Sequence, residues 1–114
     1  MSATRKLLNL VAVLIPAMGL AGFPALAGDL AAGKDKAEAA CQVCHGLDGQ
    51  ATSPMAANLS GQRKEYIVAQ LEAYRKGTRR HEQMNIIAQM LNDEDIENVA
   101  EWYSSIKITI EMPN

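Results

Sequence analysis

Both cysteines of this 114-residue chain lie in one short motif, and that motif constrains the fold more than any other feature. It reads Cys41-Gln42-Val43-Cys44-His45. Two thiols three positions apart at the end of a helix can each reach one vinyl group of a haem. The histidine that follows is then held against the iron from one side. The pattern predicts covalent haem attachment through Cys41 and Cys44, with His45 as an axial iron ligand.

Three other kinds of site use a Cys-x-x-Cys pair. A thiol–disulfide exchange site usually stands in a βαβ setting, which the sequence does not predict. A zinc site needs more ligands, and the chain has no second ligand pair beyond His81. A structural disulfide in an oxidising compartment stays open as an alternative. The histidine directly after the second cysteine favours haem attachment over all three.

The start of the chain has the layout of a secretory signal peptide. Arg5 and Lys6 form a positive start, an apolar run covers Leu7 to Leu20, and Ala25-Leu26-Ala27 is a small-x-small cleavage pattern. The apolar run is shorter than the ~20 residues that a retained membrane span needs. We therefore expect export to the periplasm and no membrane span after cleavage.

Cleavage after residue 27 would leave residues 28–114 as one domain with an acidic surface. The full chain has 11 basic and 13 acidic residues, and the leader contains two of the basic ones, which leaves 9 − 13 = −4. Such a surface repels DNA and RNA, and it favours docking on a basic patch of another protein. The sequence contains no serine–histidine–acid set and no phosphate-binding glycine loop, so it predicts no enzyme.

Helical patterns cover most of residues 28–114. The sequence predicts a helix from about Leu30 to Cys41, a second from Arg63 to Lys76 and a short helical turn over 85–90. Asn92 is the predicted N-cap of a last helix. Gly77 is the predicted left-handed residue after the second helix, and Gly33 inside the first indicates that another backbone packs closely there.

The chain ends in a different pattern. Ile106, Ile108, Ile110 and Met112 alternate with polar residues or proline. A period of two predicts a half-buried strand, and a frayed terminus is the alternative. The sequence leaves both open for residues 106–114, which would form a C-terminal extension of the domain.

These motifs, in this order, resemble the class I cytochromes c. The chain is close to the small bacterial monohaem type and to one half of the dihaem type. The resemblance covers nearly all of residues 30–105 and implies an all-α class I cytochrome c fold, with three to four helices wrapped around one covalently bound haem c. Beside the haem motif it rests on Asn58-Leu59-Ser60-Gly61-Gln62, Tyr74-Arg75-Lys76-Gly77-Thr78-Arg79, Leu91-Asn92-Asp93-Glu94-Asp95-Ile96 and Val99-Ala100-Glu101-Trp102-Tyr103.

The resemblance also implies specific packing. The first and last helices are expected to cross at Gly33, with Trp102 at the crossing, and Leu59 is expected to pack on the proximal side of the haem. The family usually has a proline just before the Asn-Leu pair, and the carbonyl of that residue accepts a hydrogen bond from the proximal imidazole. This chain has Ala57 at that position, so we expect the carbonyl to be held less rigidly.

The resemblance implies that Met84 is the second axial iron ligand. Met84 stands seven residues before Leu91, as the ligand methionine of the family does, in what we expect to be a loop after Gly77. Met90 is an alternative ligand, although its position before the last helix suits a core side chain.

Three other polar residues lie in the same predicted loop. His81 as a ligand would make a bis-histidine site, but we favour a solvated loop residue because Met84 fits the ligand position. Arg79 and Arg80 either neutralise the haem propionates through charge-assisted hydrogen bonds or form a solvated pair of charges.

The resemblance implies a periplasmic single-electron carrier. With a histidine and a methionine on the iron, no open position is left for a substrate, which argues for outer-sphere electron transfer. The alternative is a haem c subunit of a larger periplasmic dehydrogenase, for example a flavoprotein complex. Expected partners are redox proteins, including a flavoprotein dehydrogenase or a terminal oxidase.

Overall fold

The computed structural model describes residues 27–114, which form five α-helices and no strand. The helices are α1 (Leu30–Ala40), α2 (Gln42–His45), α3 (Lys64–Lys76), α4 (Glu82–Gln89) and α5 (Asp93–Ser105). The predicted all-α fold is confirmed. The predicted signal peptide lies outside the described residues, except for Ala27. Among the described helices, none is long and apolar enough to cross a membrane.

The first and last helices touch backbone to backbone at Gly33. A Cβ atom on Gly33 would lie 2.0 Å from the Asn98 carbonyl oxygen and 3.1 Å from the Trp102 Cβ. The Asn98 side chain is buried, and its Oδ1 accepts a hydrogen bond from the Asp29 N–H at 2.7 Å. One buried amide therefore ties the start of α1 to the middle of α5, and the crossing implied by the resemblance is confirmed.

The core is small and comes mainly from α1, α3 and α5. Apolar burial removes these side chains from water and stabilises the helix packing. The buried cluster consists of Ala37, Ile67, Leu71, Leu91, Ile96, Val99, Ala100 and Tyr103.

The predicted limits of α3 and α5 are confirmed by local geometry. Gly77 follows α3 with a φ of 77° in the left-handed region. Asn92 Oδ1 accepts from the Asp95 N–H at 2.8 Å, and the Asn92 N–H donates to Asp95 Oδ2 at 3.1 Å, which makes a capping box. Burial alone would raise the pKa of the Asp95 carboxyl, but the Asn92 N–H and the Lys36 ammonium hold that pKa below its ordinary value.

The helix before α5 is longer than the sequence predicts. α4 begins at Glu82 instead of about Asn85, so Met84 lies in its first helical turn and not in a loop. His81 is the N-cap, and its Nδ1 accepts from the Met84 N–H at 3.3 Å. The Asn85 amide donates to the Tyr74 carbonyl at 2.7 Å and so holds the helix start on α3. Histidine is not a usual N-cap residue, which is why the sequence pattern missed this start.

Of the two alternatives left open for residues 106–114, the structure does not show the strand. Residues 106–114 have no strand partner within the described chain. Ile106 packs against the core, but the exposed fraction rises to 54% at Ile108, 74% at Ile110 and 80% at Met112. The tail therefore leaves the domain surface after Ile108, because a period of two gives a half-buried strand only where a neighbouring strand completes its hydrogen bonds.

We expect Gly33→Ala to lower the free energy of unfolding by about 3 kcal/mol, at the upper end of overpacking costs. The new Cβ would meet the Asn98 backbone, which cannot move without parting α1 from α5. The control is Gly77→Ala, whose Cβ would meet nothing within 4 Å; it loses only the left-handed conformation, about 1 kcal/mol. Denaturant unfolding of the haem-loaded protein measures both, and equal losses would contradict the close crossing.

Candidate haem-binding site

A cavity of about 500 Å³ brings the predicted site residues together. Cys41, Cys44, His45 and Met84 all line it. The lining is mainly apolar. Among residues 27–114, Arg79 is the one arginine that lines the cavity, and no carboxylate does. A second, more open depression of about 590 Å³ lies beside α4, with a lining that contains neither cysteine nor methionine. Only the first cavity therefore combines the thiols with candidate metal ligands.

The two cysteines are placed by the junction of α1 and α2. The Cys41 N–H closes α1 on the Ala37 carbonyl at 2.9 Å, and the Cys41 carbonyl accepts from the His45 N–H at 3.0 Å. Both cysteines are half-buried free thiols. Burial raises the pKa of the Cys41 thiol to about 11, against a smaller opposing effect of Lys36, so this thiol is protonated at neutral pH.

The described residues show neither a disulfide nor a zinc site at the cysteine pair. Cys41 and Cys44 form no disulfide. Among residues 27–114, no group of three or more histidine, cysteine, aspartate and glutamate side chains is placed to hold a metal ion. A tetrahedral zinc site, which needs such a group, has no support here.

His45 has a defined tautomer. Its Nδ1 lies 2.7 Å from the Ala57 carbonyl oxygen. A carbonyl oxygen can only accept a hydrogen bond, so Nδ1 must carry the proton and donate it. The lone pair of Nε2 is then available for a metal ion, the arrangement in which a second hydrogen bond fixes the ring and raises its basicity. The Ala57 carbonyl is thus the acceptor for the imidazole N–H, as the resemblance implied.

The loop that carries Ala57 has its proline three residues earlier, at Pro54, and is also held by hydrogen bonds. On one side of Ala57, the Leu59 N–H donates to the Gly49 carbonyl at 2.7 Å. The Asn58 Oδ1 accepts from the Ala51 N–H at 2.8 Å, and the Ser60 hydroxyl donates to the Asp48 carbonyl at 2.6 Å. These bonds hold the residues that follow Ala57, and no sequence period reveals them. A less rigid carbonyl than the family's proline provides stays a prediction.

Helix α5 contacts the same loop through two aromatic side chains. The Tyr103 hydroxyl donates to the Gly46 carbonyl at 2.9 Å, and Trp102 Nε1 donates to the Leu47 carbonyl at 2.9 Å. Burial raises the pKa of the Tyr103 phenol well above its usual range, with smaller contributions from Cys41 and Asp48. The sequence predicted neither bond, because the acceptors lie more than fifty residues away.

The candidate distal ligands differ in position. Met84 is half-buried and packs against the core beside the cavity. Met90 is 65% exposed and does not line the cavity. Met55 lines it but is 80% exposed, in the loop that carries Ala57. His81 also lines the cavity, but its Nδ1 caps α4 and its ring meets Tyr74 edge to face. A solvated loop role for His81 is therefore wrong.

The two arginines of the α3–α4 connection lie in different places. Arg79 lines the cavity, with its guanidinium 4.7 Å from the centre of the Tyr74 ring and a hydrogen bond to Gln70 Oε1. Arg80 is exposed and lines the open depression instead. A role of Arg79 and Arg80 with the haem propionates stays a prediction.

The residues of the cavity fit a covalently attached haem. The cavity offers two thiols, an imidazole whose Nε2 is free to bind and a neutral thioether, inside an apolar lining. Imidazole and thioether are the axial donors that proteins use for haem iron in electron transfer.

Comparison with known proteins identifies the group to which the chain is similar. The cytochrome c family model matches residues 30–107. Cytochrome c-554(548) of Halomonas halodenitrificans is 46% identical over 82 residues, which cover 69% of this chain and 98% of that protein. Cytochrome c4 of Pseudomonas aeruginosa is 35% identical over 104 residues, 91% of this chain and 51% of that protein.

The crystal structure of reduced recombinant cytochrome c4 from Pseudomonas stutzeri has a similar fold. Its TM-score is 0.65 at 33% identity, over 71% of this chain and 47% of that one. The chain thus spans nearly all of cytochrome c-554(548) and about half of the cytochromes c4. The class I cytochrome c fold is confirmed. The match over residues 30–107, with the Cys-x-x-Cys-His motif inside it, shows that the chain belongs to the cytochrome c family of electron carriers, whose cofactor is a covalently attached haem c.

Proposed function

We propose that this chain is a periplasmic carrier of single electrons. One haem c is bound through Cys41 and Cys44, and His45 and Met84 are its axial ligands. The observation that carries the proposal is that one apolar cavity is lined by all four side chains. When bound, the haem supplies an iron that alternates between the ferrous and ferric states.

His45 and Met84 are held in position by different parts of the chain. Ala57 holds the Nδ1 proton of His45, which orients the ring and strengthens Nε2 as a donor. Met84 is placed by the first turn of α4, whose start is held by His81 and Asn85. Two protein ligands leave no position for a substrate, which supports electron transfer rather than catalysis.

The edge of the cavity suits brief contact with a redox protein. Val43, Met55 and Ile86 line the cavity and are 83%, 80% and 60% exposed. The chain has 13 acidic residues, but the cavity lining includes none of them. A partner can therefore approach this edge without desolvating a carboxylate, a cost that buried unpaired charges impose. A flavoprotein dehydrogenase and a terminal oxidase are the proposed classes of partner.

The location follows from the leader pattern. Residues 1–27 are proposed to be removed on export, leaving residues 28–114 as the periplasmic haem domain, with 106–114 as its C-terminal extension.

A bound subunit of a larger dehydrogenase is the second candidate function. It is favoured by the tail, where Ile108, Ile110 and Met112 expose apolar side chains that the domain does not cover. We expect the native protein in periplasmic extract to elute from a gel-filtration column at the size of the isolated domain, as a diffusible carrier should. Elution with a larger complex, lost when residues 107–114 are deleted, would favour the bound subunit.

We expect haem to stay with the polypeptide through acid–acetone extraction and denaturing electrophoresis, because two thioether bonds would hold it. Cys41→Ser and Cys44→Ser should each impair maturation, since each removes one bond. Haem staining of the protein band measures this. A wild-type band without haem stain would rule out covalent attachment. Ser53→Ala, which changes a cavity residue with no thiol, is the control.

We expect Met84→Ala to abolish the long-wavelength methionine–iron charge-transfer band of the ferric protein and to lower the reduction potential, since a thioether favours ferrous iron. Met90→Ala is the matched control, because Met90 lies one position beyond α4 but outside the cavity lining. A band that survives Met84→Ala, or that is lost only in Met90→Ala, would show that Met84 is not the ligand.

A further inference from the structure

We propose that Tyr103 is a positioning residue for the His45 imidazole: its hydroxyl holds the backbone next to His45, and its carbonyl holds the loop that carries the Ala57 acceptor. The inference rests on the proposed ligation by His45. Tyr103 lies on α5, and it neither lines the cavity nor belongs to the attachment motif.

The first half of this role belongs to the Tyr103 side chain. Tyr103 is 0% exposed, and its hydroxyl donates to the Gly46 carbonyl at 2.9 Å. Gly46 is itself buried and follows His45 directly, so this bond fixes the Gly46–Leu47 peptide group, one residue beyond the histidine. The Gly46 carbonyl has one other donor, the Gly49 N–H at 3.1 Å. The phenol thus supplies one of the two bonds that hold this carbonyl.

The second half belongs to the Tyr103 backbone. The Tyr103 carbonyl lies in the last turn of α5, where carbonyls need partners from outside the regular helix. It accepts from the Gly61 N–H at 2.9 Å and, at the longer distance of 3.4 Å, from the Ile106 N–H that caps the helix. Gly61 ends the loop four residues after Ala57. One residue of α5 therefore holds both the segment that carries the imidazole and the loop that carries its acceptor.

The distance between His45 Nδ1 and the Ala57 oxygen depends on where these two segments meet. That distance is 2.7 Å, short for a neutral N–H donor. The strength of this bond sets how much electron density the ring can give to a bound iron. Loss of the phenol would free the Gly46 peptide to shift, and the imidazole would move with it. Loss of the hydroxyl should therefore change the electronic state of the haem as well as the stability of the fold.

The test is Tyr103→Phe in the haem-loaded protein, which removes the hydroxyl and keeps the ring in the core. In the ferrous state, NMR follows exchange of the His45 Nδ1 proton with solvent. We expect exchange to be about tenfold faster, which corresponds to about 1.4 kcal/mol. We also expect the reduction potential to rise, because a weaker bond to Ala57 makes the imidazole a poorer donor to ferric iron.

Two controls separate positioning from simple loss of stability. Tyr66→Phe makes the same change on α3, where the side chain is 48% exposed and outside the cavity lining, and it should change neither readout. Val99→Ala thins the core on α5 itself and removes neither hydrogen bond to the Gly46 carbonyl. It should lower the melting temperature but leave proton exchange and potential close to those of the wild type.

The outcomes separate this inference from the function on which it rests. Unchanged exchange and potential in Tyr103→Phe would overturn the positioning role while leaving ligation by His45 intact. Equal shifts in Val99→Ala would overturn it too, because the effect would then follow stability alone. An unchanged haem spectrum in His45→Ala would overturn the proposed ligation, and this inference with it.

Discussion

The contact between the α1 and α5 backbones at Gly33 is the constraint on which the rest of the structure depends. A Cβ atom there would collide with the Asn98 carbonyl, so only glycine lets the helices approach this closely. The close approach positions two parts of the haem site, namely the attachment motif and the backbone that follows it. α1 leads directly into the attachment motif, and the last turns of α5 bring Trp102 and Tyr103 onto the two residues that follow it.

One side of the domain holds the packed apolar core, and the other side holds the haem-binding cavity. The buried cluster is small and comes mostly from α1, α3 and α5, whereas α2, the loop over residues 46–61 and α4 contribute most of the cavity lining. Small domains bury too little apolar surface to be very stable alone. A covalently held haem therefore serves two purposes here, as the redox group and as apolar bulk against the lining. The same division explains why the loop needs many side-chain hydrogen bonds, since little core lies beneath it.

Sequence reasoning succeeded where the deciding contacts are local. The capping box of Asn92 and Asp95 joins residues three positions apart, and Gly77 ends α3 by its own backbone conformation. It failed where the deciding contact is distant. α4 begins at Glu82, directly after its N-cap His81, where the Asn85 side chain bonds to the Tyr74 carbonyl, eleven residues away. The C-terminal alternation gives no strand because no partner strand lies beside it in residues 27–114.

The amino-acid sequence by itself determined the attachment motif, the family, the all-α fold and the set of candidate ligands. Each of these depends on residue type and spacing along the chain. The tertiary structure decided which carbonyl meets the His45 ring, which methionines and which arginine reach the cavity, and how α5 holds the proximal loop. The hydrogen bonds around the His45 ring and the proximal loop join residues twelve to fifty-seven positions apart, such as His45 to Ala57 and Tyr103 to Gly46. Their geometry is settled only when helix packing brings distant segments within bonding distance.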